Sequence, residues 1–421
     1  MKILFINNGT THYYNLVLNK LSQVPGIDLK LLVPSQVSKN IGEGVYQTRE
    51  GIRFPVLELP EYRMAGIYSS FRGLAGLLLR EKPDIIITAD TYLYSFLFNL
   101  PVVVVKRLLG SKLILKSIPF RVPRYHEADE AIRTSNASIE RFPNWFNTLL
   151  LQSGMLKLIR RKLLFLQKTA FRLPDAHVNY IDDAFDILGS YGVPRERIFI
   201  TRNSPDTDML LAVRASIESV APILPPCKHR LVHVGRLVAW KHVDMLLRAF
   251  ARLKKDFSDS ELLIIGMGPE EDRLKVLSRH LGISSSVRFL GGIYDPSLLG
   301  QYLKASSVYV LAGMGGLSIN EAMCFGLPII CSVGDGTEKV LVRDGVNGKY
   351  FADGDEDDLV RKISDLFHDP VLLKEMGDHS SKIIRDEINI HTVINGYLRS
   401  FAWLYPPSAT NTAKASLRSK L

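Results

Sequence analysis

The chain has 421 residues, 46% of them hydrophobic and 23% charged, with a formal net charge of +10. That length exceeds one ordinary core and that composition excludes a disordered or fibrous chain, so two globular domains are expected. Three cysteines, Cys227, Cys324 and Cys331, form no CxxC pair, which points to a reducing compartment and against a zinc site, while the excess of cations points to an anionic partner.

In chain order, "KILFIN" reads as a first strand, its apolar run being too short for a secretory leader. The loop "NNGTTHYYN", the helix "YNLVLNKLSQV" and the strand "LKLLVP" follow. The greasiest run, "YLYSFLFNLPVVVV" from Tyr92 to Val105, contains Asn99 and Pro101 and falls short of the roughly twenty residues that span a bilayer. It reads as a buried helix followed by a buried strand. "PDIIITA", "KLILKS", "AHVNYI" and "RIFITRN" are further strands, and the alternation of strands with amphipathic stretches predicts a mostly parallel sheet covered by helices.

From Thr148 to Leu173 the chain carries Lys157, Arg160, Arg161, Lys162, Lys168 and Arg172 and no acid. At helical spacing Lys157, Arg161, Lys168 and Arg172 share one face, with Arg160 at its edge. Two readings stand: a helix docking on an anionic lipid surface, or a core helix with one solvated side. Nucleic acid is disfavoured, because no recognised binding motif accompanies the charge.

The rhythm falters between Ser204 and Cys227, where "SPDTD" is turn-like and "PILPPCKHR" is proline-rich, and then restarts with "RLVHVG", "ELLIIGMG", "VRFLGG" and "VYVLA" as strands. The predicted organisation is an amino-terminal Rossmann-like domain over 1–203, a second over 204–385, a helix over 386–405 crossing back to the first domain, and a disordered tail over 406–421.

In open α/β sheets ligands sit beyond the carboxyl ends of the strands, so the strand-to-helix loops hold the candidate chemistry. In "VHVGRLVAWK" the strand ends at Gly235, followed by Arg236 and Lys241. Such a pair suits a diphosphate, Arg as a fork and Lys as a point charge, although two solvated surface charges would read the same. "ELLIIGMGP" places Gly266 and Gly268 after a strand, for a tight turn or a phosphate contact. In "GMGGLSINEAMCFG", Gly313, Gly315 and Gly316 precede a helix whose first N–H groups attract anions. Glu321 lies about one turn into that helix, facing the ligand or compensating the helix dipole.

These segments, in this order and spacing, resemble the retaining GT-B glycosyltransferases of the "family 4" group, over nearly the whole chain and most specifically across Val232–Phe351. The matching stretches are "VGRLVAWK", "LLIIGMGP", "VRFLGGI", "LSINEAMCFGLPIICS" and "VLVRDGVNGKYF". The resemblance implies a fold of two doubly wound Rossmann-like domains facing a central cleft. It implies that Arg236 and Lys241 grip the donor diphosphate and that Glu321 accepts from the ribose. Backbone at Gly316, Leu317 and Ser318 would meet the phosphates and sugar, Ile293 or Tyr294 would lie against the base, and Gly235, Gly266, Gly268, Gly313 and Gly315 would shape the loops.

The sequence departs from the family pattern at three places. The first acid of the Glu-x7-Glu motif is Gly313 here. The amino-terminal loop keeps only Gly9 of its glycines, with Thr10 and His12 as acceptor-side candidates. "KLILKS" lacks the histidine often found after that strand. With no Asp-x-Asp to hold a divalent ion, the implied reaction is transfer from a UDP- or GDP-linked sugar, with retention, without metal and without a cofactor. The acceptor would be a glycan or lipid-linked glycan of the cell surface. "EYRMAGIYSSFRGLAG" and "RVPRYHEADE" would lie on the acceptor side, and the protein would be cytoplasmic, peripheral at the inner membrane face. The alternatives are a GT-B-shaped scaffold that has lost transfer, suggested by Gly313, and an epimerase or phosphorylase, for which the loops offer no acid–base pair and no pyridoxal lysine site.

Overall fold

The structure, a computed structural model, describes residues 1–38, 40–41, 45–64, 68–117, 122–134, 155–334 and 336–406. The chain divides into two compact units. The first holds residues 1–41, 47–202 and the chain from Ile394 onward; the second holds 42–46 and 203–393.

The first unit contains β1 (Lys2–Ile6), β2 (Asp28–Pro34), β3 (Val56–Leu59), the hairpin β4 (Glu61–Met64) and β5 (Tyr68–Phe71), then β6 (Ile85–Ala89), β7 (Lys112–Lys116), β8 (Ala176–Asn179) and β9 (Ile198–Ile200). Its main sheet runs β3-β2-β1-β6-β7-β8-β9, parallel throughout. Ile3–Ile6 and Ile85–Ile87 are buried, as expected for strands covered on both faces. The helix His12–Ser22 covers the sheet with Tyr14, Val17, Leu18 and Leu21.

The segment Tyr92–Val105 corrects its sequence reading. It forms two helical pieces, ending in Ser95–Phe98 and Leu100–Leu109 and bent by 88°, and the strand comes only at β7. Pro101 in the first helical turn gives up an N–H that would have no partner there, and its fixed φ suits a helix start. The β-branched run is therefore helical, with Val102 and Val105 buried and Leu100, Val104 and Leu108 exposed. Among the described residues no single helix is long and apolar enough to cross a membrane.

The helix Ile390–Leu404 belongs to the first unit from Ile394 on. There Tyr397 meets Tyr14 hydroxyl to hydroxyl at 3.0 Å and sets its ring edge-on to Phe5. The predicted disordered tail lies outside the described residues from position 407.

The second unit holds β10 (Arg230–Val234), β11 (Glu261–Ile265), β12 (Val287–Phe289), β13 (Val308–Leu311), β14 (Ile329–Cys331) and β15 (Gly348–Tyr350), ordered β12-β11-β10-β13-β14-β15 and parallel. Chain direction across the sheet reverses between β10 and β13, which places a topological switch point between the loops that follow those two strands. The helix Val243–Leu253 buries Val243, Leu246, Leu247, Phe250 and Leu253 at helical spacing against one core. A second correction falls just upstream. The turn-like "SPDTD" starts a helix, Thr207–Ser216, because the Asp206 carboxylate accepts from Met209 N at 3.2 Å and caps it.

Candidate functional site

The loops after β10 and β11 are laced together by backbone. Gly235 N donates to Ile265 O at 2.9 Å, Leu237 N to Met267 O at 2.9 Å, and Glu270 N to Leu237 O at 3.0 Å. Gly266 is required by this lacing: its φ is +148°, and a Cβ there would stand 2.8 Å from the Gly235 carbonyl carbon.

The loop after β13 joins on the other side of the switch point. Met314 N donates to Trp240 O at 3.2 Å, and a Cβ on Gly313 would fall 2.7 Å from the carbonyl carbon of Lys241 and 2.8 Å from its Cα. The backbone approach leaves no room for a side chain at 313. That is the physical reason for glycine where the family pattern carries an acid. The same contact brings the Arg236–Lys241 loop beside the Gly313–Ser318 turn.

Within the first loop, Lys241 ends a 3-10 turn and His242 takes a left-handed conformation, φ +50°, before the next helix. The Lys241 side chain folds back toward the strand end, its Cε 3.9 Å from where a Gly235 Cβ would be. The Arg236 guanidinium lies 5.6 Å from the centre of the Trp240 ring. Across from them, the helix Leu317–Cys324 begins at Gly316, whose Cβ position meets no atom within 4 Å and marks the open side of the turn. Ser318 Oγ stands 2.7 Å from the Tyr309 hydroxyl, which is also 3.2 Å from Val234 O.

Glu321 is half-buried. Burial disfavours the charge and pushes its pKa up to about 7. Among the described residues no hydrogen bond or ion pair reaches this carboxyl, so it stands as an acceptor without a donor. Ile293 is half-buried and Tyr294 exposed after β12, and the Tyr294 ring stacks on Tyr46 with centroids 4.1 Å apart.

Two residues here escaped the sequence reading. Glu338, fully buried on the helix Thr337–Leu341, accepts from Gly315 N at 3.1 Å and so holds the glycine turn from beneath. His233, fully buried at the end of β10, pairs Nδ1 with Val310 O at 3.0 Å, while its Nε2 has no partner and lies 3.3 Å from the Gly235 Cβ position. Burial holds its pKa down at about 4, so the ring is neutral and Nε2 is a lone-pair acceptor. The available signal was a polar residue inside the apolar strand "RLVHV".

In the first unit, Gly9, Thr10 and His12 follow β1. Thr10 is buried and its carbonyl accepts from Thr48 N at 3.0 Å. His12 opens a helix, and burial lowers its pKa. At the end of β7, Lys116 sets its ammonium 4.2 Å from the centre of the Tyr14 ring. Desolvation brings that lysine down to about 8, opposed by the charge of Asp90. The strand order β1-β6-β7 places these residues along one sheet edge.

The basic helix is described over Met155–Arg172, and the residues before it lie outside the described part. It packs on the helix Tyr125–Thr134, where Arg161 pairs with Asp129 at 3.4 Å, Lys168 lies 4.4 Å from the Tyr125 ring centre and Lys157 Nζ donates to Arg133 O at 2.9 Å. Arg160 is half-buried and Arg172 exposed. Much of the predicted cationic face is thus engaged within the unit, and what the helix leaves outward includes Lys162, Met155, Leu158 and Phe165.

Residues 221–383, which contain every loop of the second unit's site, match the family described as Glycosyl transferases group 1. An uncharacterized glycosyltransferase of Haemophilus influenzae is 34% identical over 170 residues, 39% of this chain and 46% of that one. The lipopolysaccharide core biosynthesis glycosyltransferase LpsE of Rhizobium meliloti is 27% identical over 238 residues, 55% of this chain and 65% of that one. The chain spans about half the length of the first curated relatives it matches, 46% and 45%. Among solved structures, Anabaena HepE in complex with UDP superposes with a TM-score of 0.64 at 15% identity, covering 96% of this chain and 100% of that one. This likeness establishes the fold class as GT-B, as expected from the sequence. Within the matched segment, Arg236, Lys241, Gly313–Ser318 and Glu321 are gathered at the switch point between β10 and β13.

Proposed function

We propose that the protein is a glycosyltransferase that moves a sugar from a UDP- or GDP-linked donor, with retention and without metal, to a lipid-linked glycan acceptor in cell-surface polysaccharide or glycolipid synthesis. The observation that carries this reading is the junction of the two loops at the switch point. The contact between Met314 N and Trp240 O sets the loop that carries Arg236 and Lys241 beside a turn of backbone N–H groups, with an acceptor carboxyl, Glu321, one helical turn further on.

Each part has a role in the transfer. The diphosphate leaves with the electron pair of the sugar C1–O bond, so its charge grows as the bond breaks. Arg236 and Lys241, already fixed in place, stabilise that charge without reorganisation. The N–H groups at Gly316–Ser318 add the positive end of a helix. Glu321 accepts from the ribose hydroxyls, which supply the donors its buried carboxyl lacks. The acceptor hydroxyl attacks the face that the diphosphate leaves, and its proton passes to the departing phosphate oxygen, so no separate base is needed.

HepE was crystallised with UDP and LpsE is named for lipopolysaccharide core biosynthesis; both support the donor and acceptor classes proposed here. The protein would act at the cytoplasmic face of the membrane as a peripheral protein. Gly313 favours one second reading, a scaffold that binds a nucleotide without transferring a sugar.

Calorimetric titration with UDP, GDP and ADP in EDTA tests the donor site. Binding of one nucleotide at a Kd of about 1–100 µM, roughly −5.5 to −8 kcal/mol, is expected. Silence from all three would remove the donor reading. Binding without release of UDP or GDP from any nucleotide-sugar and acceptor pair would favour the scaffold.

A further inference from the structure

In the first unit, well away in sequence from the basic helix, the β4–β5 hairpin and the bent helix pair enclose an open cavity of about 590 Å3. Its walls are Tyr62, Met64, Tyr68, Phe98, Leu100 and Pro101, with Asn99. The one amide in this wall is occupied, since Asn99 Nδ2 donates to Tyr62 Oη at 3.3 Å and to Ser70 Oγ at 3.4 Å. The remaining walls are apolar, and Tyr68 is stiffened by stacking on Tyr94 with centroids 4.1 Å apart.

The groove does not end at its mouth. Leu100, Val104 and Leu108 recur every four residues along the outer face of their helix, 70%, 45% and 77% exposed, and Phe98 is 46% exposed. A continuous exposed apolar stripe that opens into an apolar groove is costly in water and marks a contact surface. The bent pair also has the length and apolar composition of a broken membrane span.

Charge indicates what the contact is. No Asp or Glu occurs between Glu61 and Glu81, or between Asp90 and Glu127. Arg63, Arg72 and Arg107 are exposed on those segments. A second copy meeting this face about a two-fold axis would bring cations against cations. An anionic lipid surface offers hydrocarbon to the groove and phosphates to the arginines.

We infer that this face docks on an anionic phospholipid leaflet and that the groove takes the hydrocarbon chain of a lipid from it. The inference deepens the lipid-linked acceptor part of the proposed function and rests on it only for its purpose. Vesicle binding is measured without sugar transfer, so either can fail while the other stands.

The test is sedimentation of the full chain with phosphatidylcholine vesicles, with and without phosphatidylglycerol. Partition into the anionic vesicles is expected, falling about tenfold or more for Leu100→Gln combined with Leu108→Gln, from the two apolar side chains withdrawn from lipid. Nucleotide affinity and thermal melting stay unchanged, since both side chains face solvent. In Phe98→Trp, phosphatidylglycerol-containing vesicles with brominated acyl chains are expected to quench the new indole. The inference is overturned if the double variant partitions like the parent, if partition is lost instead with Lys157→Gln and Lys162→Gln, or if the bound Phe98→Trp protein is not quenched. A dimer that Leu108→Gln dissociates would equally overturn it in favour of a second copy.

Discussion

The two units carry the same kind of parallel sheet and both pin strand-end loops with backbone bonds, yet they differ in what surrounds those bonds. In the second unit the contacts are backbone on backbone: Gly235 to Ile265, Leu237 to Met267, Met314 to Trp240. Glycine makes these approaches possible, and Glu338 pins Gly315 from below. In the first unit backbone bonds from Asn7 N to Leu32 O and from Thr48 N to Thr10 O are joined at the sheet edge by side-chain contacts, Lys116 over Tyr14 and the Tyr14–Tyr397 pair, and an apolar stripe, Leu100, Val104 and Leu108, faces outward. A backbone-laced loop presents the same N–H groups whatever side chains surround it, which suits a diphosphate common to many donors. A surface made of side chains is free to change with the acceptor.

The largest effect that would test this division comes from removing the cations. Arg236→Ala with Lys241→Ala deletes two charge-assisted contacts of about 1.5–3 kcal/mol each. Nucleoside diphosphate should then bind roughly a hundredfold to ten-thousandfold more weakly by calorimetry, with melting little changed. Lys116→Ala should leave that affinity unmoved. If Lys116→Ala weakens nucleotide binding as much, the division of labour between the units is wrong.

The same contrast explains how much was readable in advance. The second unit was legible because Gly-x-Gly after an apolar strand, and cations directly after another, are local patterns with local causes. Gly313 could be noted from sequence, but its reason could not, because the excluding atoms belong to Trp240 and Lys241, more than seventy residues earlier. Glu338 was missed for a similar reason, its partner Gly315 lying on another loop. In the first unit the pattern itself was ambiguous. Four successive valines suit a buried strand as well as a helix, and hydrophobicity does not say which side of a helix meets solvent. Only the helical geometry set by Pro101 turned Leu100, Val104 and Leu108 outward.

Gly313→Ala gives the next largest effect. Its Cβ needs space now filled by the Lys241 main chain, and forcing extra atoms into packed sites costs about 1–3 kcal/mol. The strain falls on the loop that carries Lys241, so nucleotide affinity should drop about tenfold together with a lowered Tm. Gly313→Glu, which restores the family's acid in sequence, should bind no better than Gly313→Ala. Tighter binding by Gly313→Glu would show that this turn opens readily and that backbone lacing does not govern it.

A smaller effect is expected from pH. With its pKa raised to about 7 by burial, Glu321 adds stability that is fully present below the ordinary carboxylate range and is lost as pH rises through 7. Nucleotide binding should run the opposite way, because ribose hydroxyls donate to the ionised form. Affinity at pH 6 should be about tenfold weaker than at pH 8, with a proton released on binding near neutrality. Calorimetry in buffers of different ionisation heat measures that proton, and Glu321→Gln should remove both the slope and the release.

The smallest expected effect is also the most pointed. The Tyr309 hydroxyl links Val234 at the end of β10 to Ser318 at the start of the helix after β13, and it is a buried side-chain tether between those two sides of the switch point that backbone lacing should make dispensable. Tyr309→Phe keeps the ring and removes only the hydroxyl, at a cost of about 0.5–1.5 kcal/mol of stability. Chemical denaturation should register that loss, while the nucleotide Kd should change by no more than about threefold, because the lacing between Met314 and Trp240 is untouched. A Kd shift approaching that of the cation variants would mean that a single hydroxyl, rather than the glycine-permitted backbone contacts, sets the register of the two loops.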